Sequence, residues 1–244
     1  MRVSGESCRI LACASGERVV PRTRQARAPV ETYTARPGVD ADWRVEAVEV
    51  TPEGTHFELV HRGRRLGRAL LPMHGLYNVE NAVVAAAVAL GAGVSFDAVA
   101  RGLAEFRGVA RRQTVRAEVD GVRVVDDFAH HPTAVRETLA GLRARFPAGR
   151  LVAVFEPRSA TSSRSVFQAA YAEAFDAADE VIIAGVGRPE IAASERLDVG
   201  VLAQQIAARG PDAKNLEAVD TIVAHLASTA RPGDTLVFMS NGGF

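Results

Sequence analysis

The stretch Val122–Val135, VRVVDDFAHHPTAV, decides the fold. Its first residues, Val122–Asp126, are rich in β-branched side chains and too few to make a helix, so they predict a strand. Pro132 suits the first position of a helix, where a missing N–H costs nothing, and the apolar spacing beyond it predicts a helix. Between the two lies a polar turn of two aspartates and two histidines. One strand, one polar loop and one helix form half of a βαβ unit.

The same rhythm continues downstream. Leu151–Glu156, Glu180–Ala184, a short segment near Asn215–Ala218 and Thr235–Met239 are expected as strands. Val166–Asp176, Val199–Arg209 and Thr221–Ala230 are expected as helices. Continuous apolar strands alternating with helices argue for a mostly parallel, doubly wound sheet of the α/β class. Ligands in such sheets bind outside the carboxyl ends of the strands. Four polar or glycine-rich clusters fall there: Asp126-Asp127-Phe128-Ala129-His130-His131, Glu156-Pro157-Arg158-Ser159, Gly185-Val186-Gly187-Arg188 and Ser240-Asn241-Gly242-Gly243. Together they predict one composite site.

Upstream the pattern differs. Arg44–Val50 and His56–His61 alternate apolar and polar around a Pro-Glu-Gly turn, which predicts a hairpin, and Arg65–Leu71 adds a third strand. Asn78–Leu90 carries a broad apolar helical face. Phe96–Phe106 predicts a second helix with Ser95 as its N-cap. Residues 1–40 lack clear periodicity and are read as the remnant of a larger domain. Arg107–Arg112, RGVARR, has a glycine and no apolar period, so the domain boundary is placed there: 1–110 before it and 111–244 after it.

Composition excludes several function classes. Of 244 residues, 48% are hydrophobic and 24% charged, as in globular proteins with a core, and the formal net charge is zero. No basic surplus points to nucleic acid or to an acidic membrane. Cys8 and Cys13 are too few for a disulfide framework. The longest apolar run, Ala82–Leu90, falls well short of the roughly 20 residues needed to span a bilayer. A cytoplasmic protein is expected. Lys214 is the only lysine, and all the other basic residues are arginine. A phosphate-gripping loop ending in Lys-Ser or Lys-Thr therefore cannot be written in this chain.

Side-chain chemistry leaves alternatives open. Arg111-Arg112 reads either as a solvated linker or as a guanidinium turned toward a phosphoryl group. Asn78 and Asn81 are three apart and share one helical face. They suit either capping or a base edge. Asp126, Asp127, His130 and His131 contain metal-ligating types, yet adjacent histidines point apart, so a carboxylate that orients an arginine or a ribose hydroxyl is the simpler reading. His56, His61, His74 and His225 are read as surface or packing residues, and Trp43 and Tyr33 as anchors of the hairpin.

The motifs YNVEN, RRQ, DDFAHHP, EPRS and MSNGGF resemble those of the Mur ligase superfamily, most closely its murein peptide ligase branch, from Trp43 to Phe244. The resemblance implies a partial ATPase central domain followed by a Rossmann-like amine-binding domain. It implies ATP-dependent amide synthesis with Mg2+, in which the lactyl carboxylate of UDP-N-acetylmuramate becomes an acyl phosphate. The tripeptide L-Ala-γ-D-Glu-meso-diaminopimelate then attacks it, in peptidoglycan recycling. Tyr77, Asn78 and Asn81 would lie near the adenine. Arg112 would reach the γ-phosphate, Asp127 would help hold nucleotide and arginine, and His130 matches the family histidine in that loop. Arg158, Ser159 and Asn241 would meet the amine component. EPRSATSSR departs from the family's EPRSNTM, with Ala160 and Ser162 in place of Asn and Met. The expectation is a ligase fragment, inactive alone for want of its nucleotide-gripping front half. A non-catalytic tripeptide- or nucleotide-binding module, or a metal-dependent hydrolase using Asp126, Asp127, His130 and His131, are the alternatives.

Overall fold

A computed structural model describes residues 8–16, 18–188 and 190–242. The chain divides into two compact units, Met1–Gly108 and Val109–Phe244.

In the first unit, β1 (Ile10–Cys13), α1 (Val20–Thr23) and β2 (Val30–Tyr33) come from the stretch whose sequence showed no period. Two four-residue strands are too short for alternation to register. They form through parallel pairing, Ile10 with Val30 to Cys13 with Tyr33. The hairpin continues the sheet as β3 (Trp43–Thr51), β4 (Gly54–His61) and β5 (Arg64–Leu71), in the order β1-β2-β3-β4-β5. The last two pairings are antiparallel.

Two helices, α2 (Leu76–Gly91) and α3 (Phe96–Ala104), contribute to the core of this unit. Val79, Ala82, Val83 and Ala86 of α2 are buried with Phe57, Leu59, Ala69 and Leu71 of the sheet. Their small side chains let helix and sheet approach closely. Ser95 caps α3 by accepting the Ala98 N–H, as expected. Gly67 makes room for α3: at φ 151°, an added Cβ would lie 2.3 Å from the Phe96 ring. Trp43 is buried, stacks on His61 with ring centres 3.8 Å apart, and donates its indole N–H to Glu31. It anchors β3 to β2 as well as to the hairpin.

The second unit starts with β6 (Thr114–Val119), which the sequence reading missed. Five of its six residues are exposed, so it has no apolar signature and forms by antiparallel pairing with β7 (Val122–Asp127). Then follow α4 (Pro132–Arg145), β8 (Leu151–Phe155), α5 (Gln168–Ala172), β9 (Glu180–Ile183), α6 (Val199–Ala207), β10 (Asp212–Asn215), α7 (Val219–Thr229) and β11 (Thr235–Met239). The order β10-β9-β8-β11-β7-β6 is parallel except at β6, the doubly wound arrangement expected.

Every residue of β8 and β9 is buried. Alternation sends Leu151, Ala153 and Phe155 into a core with Val135, Leu139 and Leu142 of α4 and Leu202 and Ile206 of α6. Val152 and Val154 go to the other face, against Ile222 and Leu226 of α7.

Two of the foreseen elements also take a different form. The helix foreseen over Val166–Asp176 is a 3₁₀ turn, Ser165–Phe167, followed by the short α5. The strand foreseen near Asn215–Ala218 lies earlier, as β10. Its polar DAKN is held by pairing with β9 and by Lys214, which meets Glu180 at 3.1 Å and Asp212 at 3.0 Å. The only lysine is thus a structural ion-pair partner. Glu180 gathers Arg150 at 3.2 Å and His225 at 2.7 Å as well. Burial would raise its pKa, but hydrogen bonds from His225 and Lys214 outweigh that and hold it below the usual value.

Candidate functional site

Asp127 closes β7 with no exposed surface. One carboxylate oxygen accepts the Gln113 N–H at 2.8 Å. The other accepts the Ala129 N–H at 2.7 Å and the Thr138 hydroxyl at 3.3 Å. Burial pushes its pKa up, while these donors and the charge of Arg112 pull it back only in part. The aspartate fastens the start of the domain and the loop after β7 to the sheet.

Arg112 itself is exposed. Its neighbour Arg111 is the tethered one. Arg111 Nε donates to Asp126 at 3.2 Å, its Nη2 donates to the Ser240 carbonyl at 2.7 Å, and its guanidinium lies 5.3 Å from the Phe128 ring centre. The spacing of RRQ does not distinguish the two arginines; the family resemblance alone singles out Arg112.

The two histidines part, as adjacent residues should. His131 caps α4 by accepting the Thr133 N–H at 3.3 Å and packs edge-on against Phe167. Partial desolvation of its ring, with the nearby His130, keeps it more readily neutral than a free imidazole. His130 turns the other way, with Nδ1 2.9 Å from the Phe128 carbonyl. The fully buried Tyr171 of α5 donates its hydroxyl to the His130 carbonyl and so braces this loop, a contact with no motif to announce it.

The loop after β8 holds Arg158. Glu156 accepts from Arg158 Nη1 at 3.3 Å and, through its other oxygen, from the Ser240 hydroxyl after β11. Two glycines flank the Arg158 side chain. A Cβ on Gly187 would lie 2.8 Å from Arg158 Cγ, and one on Gly242 would lie 2.6 Å from its Cδ. Gly187 after β9 and Gly242 after β11 therefore form a cradle for one arginine side chain, which is exposed.

Ser159 faces inward on its own loop. Its hydroxyl meets that of Ser162 at 2.8 Å and accepts the Ser162 N–H at 2.9 Å. Asn241 lies beside the cradle with its side-chain oxygen buried and without a hydrogen-bond partner. Asp127, His130, Arg158, Ser159 and Asn241 thus all lie on loops or strand ends at the carboxyl edge of one sheet, and Arg112 on the segment tied to it. An adjoining cleft of about 510 Å3 is lined by Gly185, Val186, Arg196, Asp198 and Glu217, among others.

Tyr77, Asn78 and Asn81 belong to the first unit, on α2. Here the shared helical face divides: Asn78 is buried and donates to the His74 carbonyl at 2.7 Å, whereas Asn81 is exposed. His74 is itself buried, with Nε2 2.9 Å from the Thr51 carbonyl. Among the described residues, no three histidine, cysteine, aspartate or glutamate side chains come together as a metal site. No described helix is long and apolar enough to cross a membrane.

Residues 111–242 match the family model of the Mur ligase glutamate ligase domain. The chain belongs to the Mur ligase family. Among its curated relatives is a UDP-N-acetylmuramate–L-alanine ligase of Thermosynechococcus vestitus, 34% identical over 96% of this chain and 49% of the relative. The same-named enzyme of Gloeobacter violaceus is 38% identical over 83% of this chain and 43% of its own length. This Mur ligase chain spans about half the length of the curated relatives it matches.

A solved murein peptide ligase from Psychrobacter arcticus superposes with a TM-score of 0.65 at 29% identity, over 99% of this chain and 50% of that one. The UDP-N-acetylmuramate-alanine ligase of Thermotoga maritima, at 21% identity and a TM-score of 0.71, over 87% of this chain and 45% of that one, shares the fold. The family expected from DDFAHHP, EPRS and MSNGGF is the family found. The relatives cited by sequence, however, are named for L-alanine rather than for a tripeptide.

Proposed function

We propose that this chain is the amine-receiving part of an ATP-dependent ligase that forms an amide on the lactyl carboxylate of UDP-N-acetylmuramate, with L-Ala-γ-D-Glu-meso-diaminopimelate as the amine component. The observation that carries the reading is the Arg158 guanidinium, flanked by Gly187 and Gly242 and backed by Glu156, at the carboxyl edge of the sheet. An arginine fixed in this way offers a planar fork to a substrate carboxylate. Ser159 and Asn241 stand beside it, and the buried, unpartnered oxygen of Asn241 suits an amine or amide donor.

Arg112 would meet the phosphoryl group as the acyl phosphate forms, stabilising charge on its oxygens. Asp127, its oxygens taken up by N–H and hydroxyl donors, would hold the loop rather than the nucleotide. His130 would line the same loop. Tyr77 and the exposed Asn81 would face the adenine, while Asn78, bonded to His74, would support the helix that presents them.

ATP and Mg2+ belong to this reading as the family's phosphoryl donor and ion. Among the described residues no three histidine, cysteine, aspartate or glutamate side chains come together to hold it. The hydrolase alternative lacks support for a related reason: the Asp127 oxygens accept protein donors, and His131 caps a helix. The written sequence has no glycine-rich loop ending in Lys-Ser or Lys-Thr. The chain by itself should therefore not turn over ATP, and a rate within tenfold of an enzyme's roughly 10 per second would refute that.

A second reading, with L-alanine as the amine component, is favoured by the names of the curated relatives. Calorimetric titration of the chain with each compound separates them. Saturable tripeptide binding that is lost in Arg158→Ala supports the first reading. Binding of L-alanine alone supports the second. Binding of neither, by a folded chain, removes the assignment of Arg158 to a substrate carboxylate.

A further inference from the structure

Arg112 stands between two residues with left-handed backbone, Arg111 at φ 58° and Gln113 at φ 49°. Neither is glycine, asparagine or aspartate, the types that enter this region at least cost. Such strain persists only where the surroundings over-determine the conformation, and it gathers at functional sites. The surroundings here do so from both sides.

Gln113 is held by its N–H on Asp127 and by Arg145, which donates to its carbonyl at 3.3 Å. Arg111 is held by its carbonyl, which accepts the Phe128 N–H at 2.8 Å, and by its side chain on Asp126 and the Ser240 carbonyl. Asp126 is fixed in turn by Arg116, whose Nη2 lies 2.7 Å from its second oxygen. None of these ties uses the Arg112 side chain, which is exposed and open to a ligand.

We infer that Arg111 is a positioning residue for Arg112: its guanidinium, clasped by Asp126 and the Ser240 carbonyl, locks the strained turn that presents Arg112. A flexible linker would present an arginine in many orientations and lose entropy on binding, whereas a locked turn has lost that entropy on folding. The inference rests on Arg112 being the phosphoryl contact proposed above.

The test uses Arg111→Gly in the full chain. Glycine accepts the left-handed backbone but lacks the tether. In the native protein the Arg112 amide should show an NMR order parameter of about 0.85, falling below about 0.6 in the variant. Cooperative unfolding should be retained. Asp126→Ala, which removes the clasp from the other side, should loosen Arg112 likewise.

Tripolyphosphate binding, followed by isothermal titration calorimetry, should weaken at least tenfold in both variants and be abolished in Arg112→Ala. An Arg112 amide as ordered in both variants as in the native chain overturns the inference. A purely structural role for Arg111 would likewise lower the melting midpoint and leave Arg112 ordered up to unfolding, which also overturns it. If Arg112 loosens as expected while tripolyphosphate leaves the native chain unchanged, the positioning role stands and the phosphoryl reading of Arg112 fails.

Discussion

Replacing Asp127 with Asn tests how the loop after β7 is held. The carboxylate offers two oxygens to three donors, Gln113 N–H, Ala129 N–H and the Thr138 hydroxyl. Asparagine keeps one oxygen. Placed toward Ala129 and Thr138, it leaves its NH2 facing the Gln113 N–H, a buried donor with no acceptor. That omission costs about 1–3 kcal/mol. Against it stands the relief of burying a charge, since burial already raises the Asp127 pKa. We expect a net loss of about 1–2 kcal/mol at neutral pH.

The sign of the pH dependence follows from that raised value. A carboxylate that is harder to ionise when folded favours the native state fully below its unfolded pKa, near 4, and loses that contribution as pH rises through the higher folded value. The variant has no such slope, so its deficit should shrink from pH 4 to pH 7. Urea unfolding resolves this by domain. Trp43, the only tryptophan, lies in the first unit, so its fluorescence reports that unit, while far-UV circular dichroism reports both. The dichroism transition should shift to lower urea while the Trp43 transition stays. An unchanged midpoint, or a deficit that grows with pH, would refute the reasoning.

Three further outcomes are expected. Gly67→Ala meets the Phe96 ring at 2.3 Å in an unfavourable backbone region, so it should destabilise the first unit by about 1–3 kcal/mol in Trp43-monitored unfolding. Glu180, Asp234 and Asp42 all have pKa values held below normal. Their contribution is present above the unfolded values near 4 and is lost as pH falls through the folded ones, so urea midpoints should drop below pH 4, less steeply in Glu180→Gln. Tyr171→Phe removes the hydroxyl that braces His130 while keeping the ring against Phe155; it should cost about 1 kcal/mol and shift the His130 resonances most, as two-dimensional NMR would register.

Much of the second unit was legible because its strands are buried on both faces and read as apolar runs, as in LVAVF of β8. What escaped lacked that signature. The exposed β6 and the polar β10 exist through pairing with neighbours, and β1 and β2 are too short to show a period. At the site, DDFAHH and EPRS could be placed because they end strands. The different tethering of Arg111 and Arg112 could not, because it lies in two backbone angles and in a carbonyl more than a hundred residues away. The glycines of GVGR and SNGGF were visible as loops, but the closeness of Gly187 and Gly242 to Arg158 is a fact of packing.

The line of contacts from Asp126 through Arg111, Ser240 and Glu156 to Arg158 steps across three adjacent strands, β7, β11 and β8. Neighbouring strands are spaced by their hydrogen bonds at about 4.8 Å, so the ends of β7 and β8 stand about 10 Å apart. The sheet therefore serves as a ruler with β11 as its middle mark. The gap between the loop that carries one arginine and the turn that carries the other is fixed by backbone pairing that no side-chain substitution can rescale. Side-chain substitution can alter what fills that interval, while the interval itself is inherited with the fold.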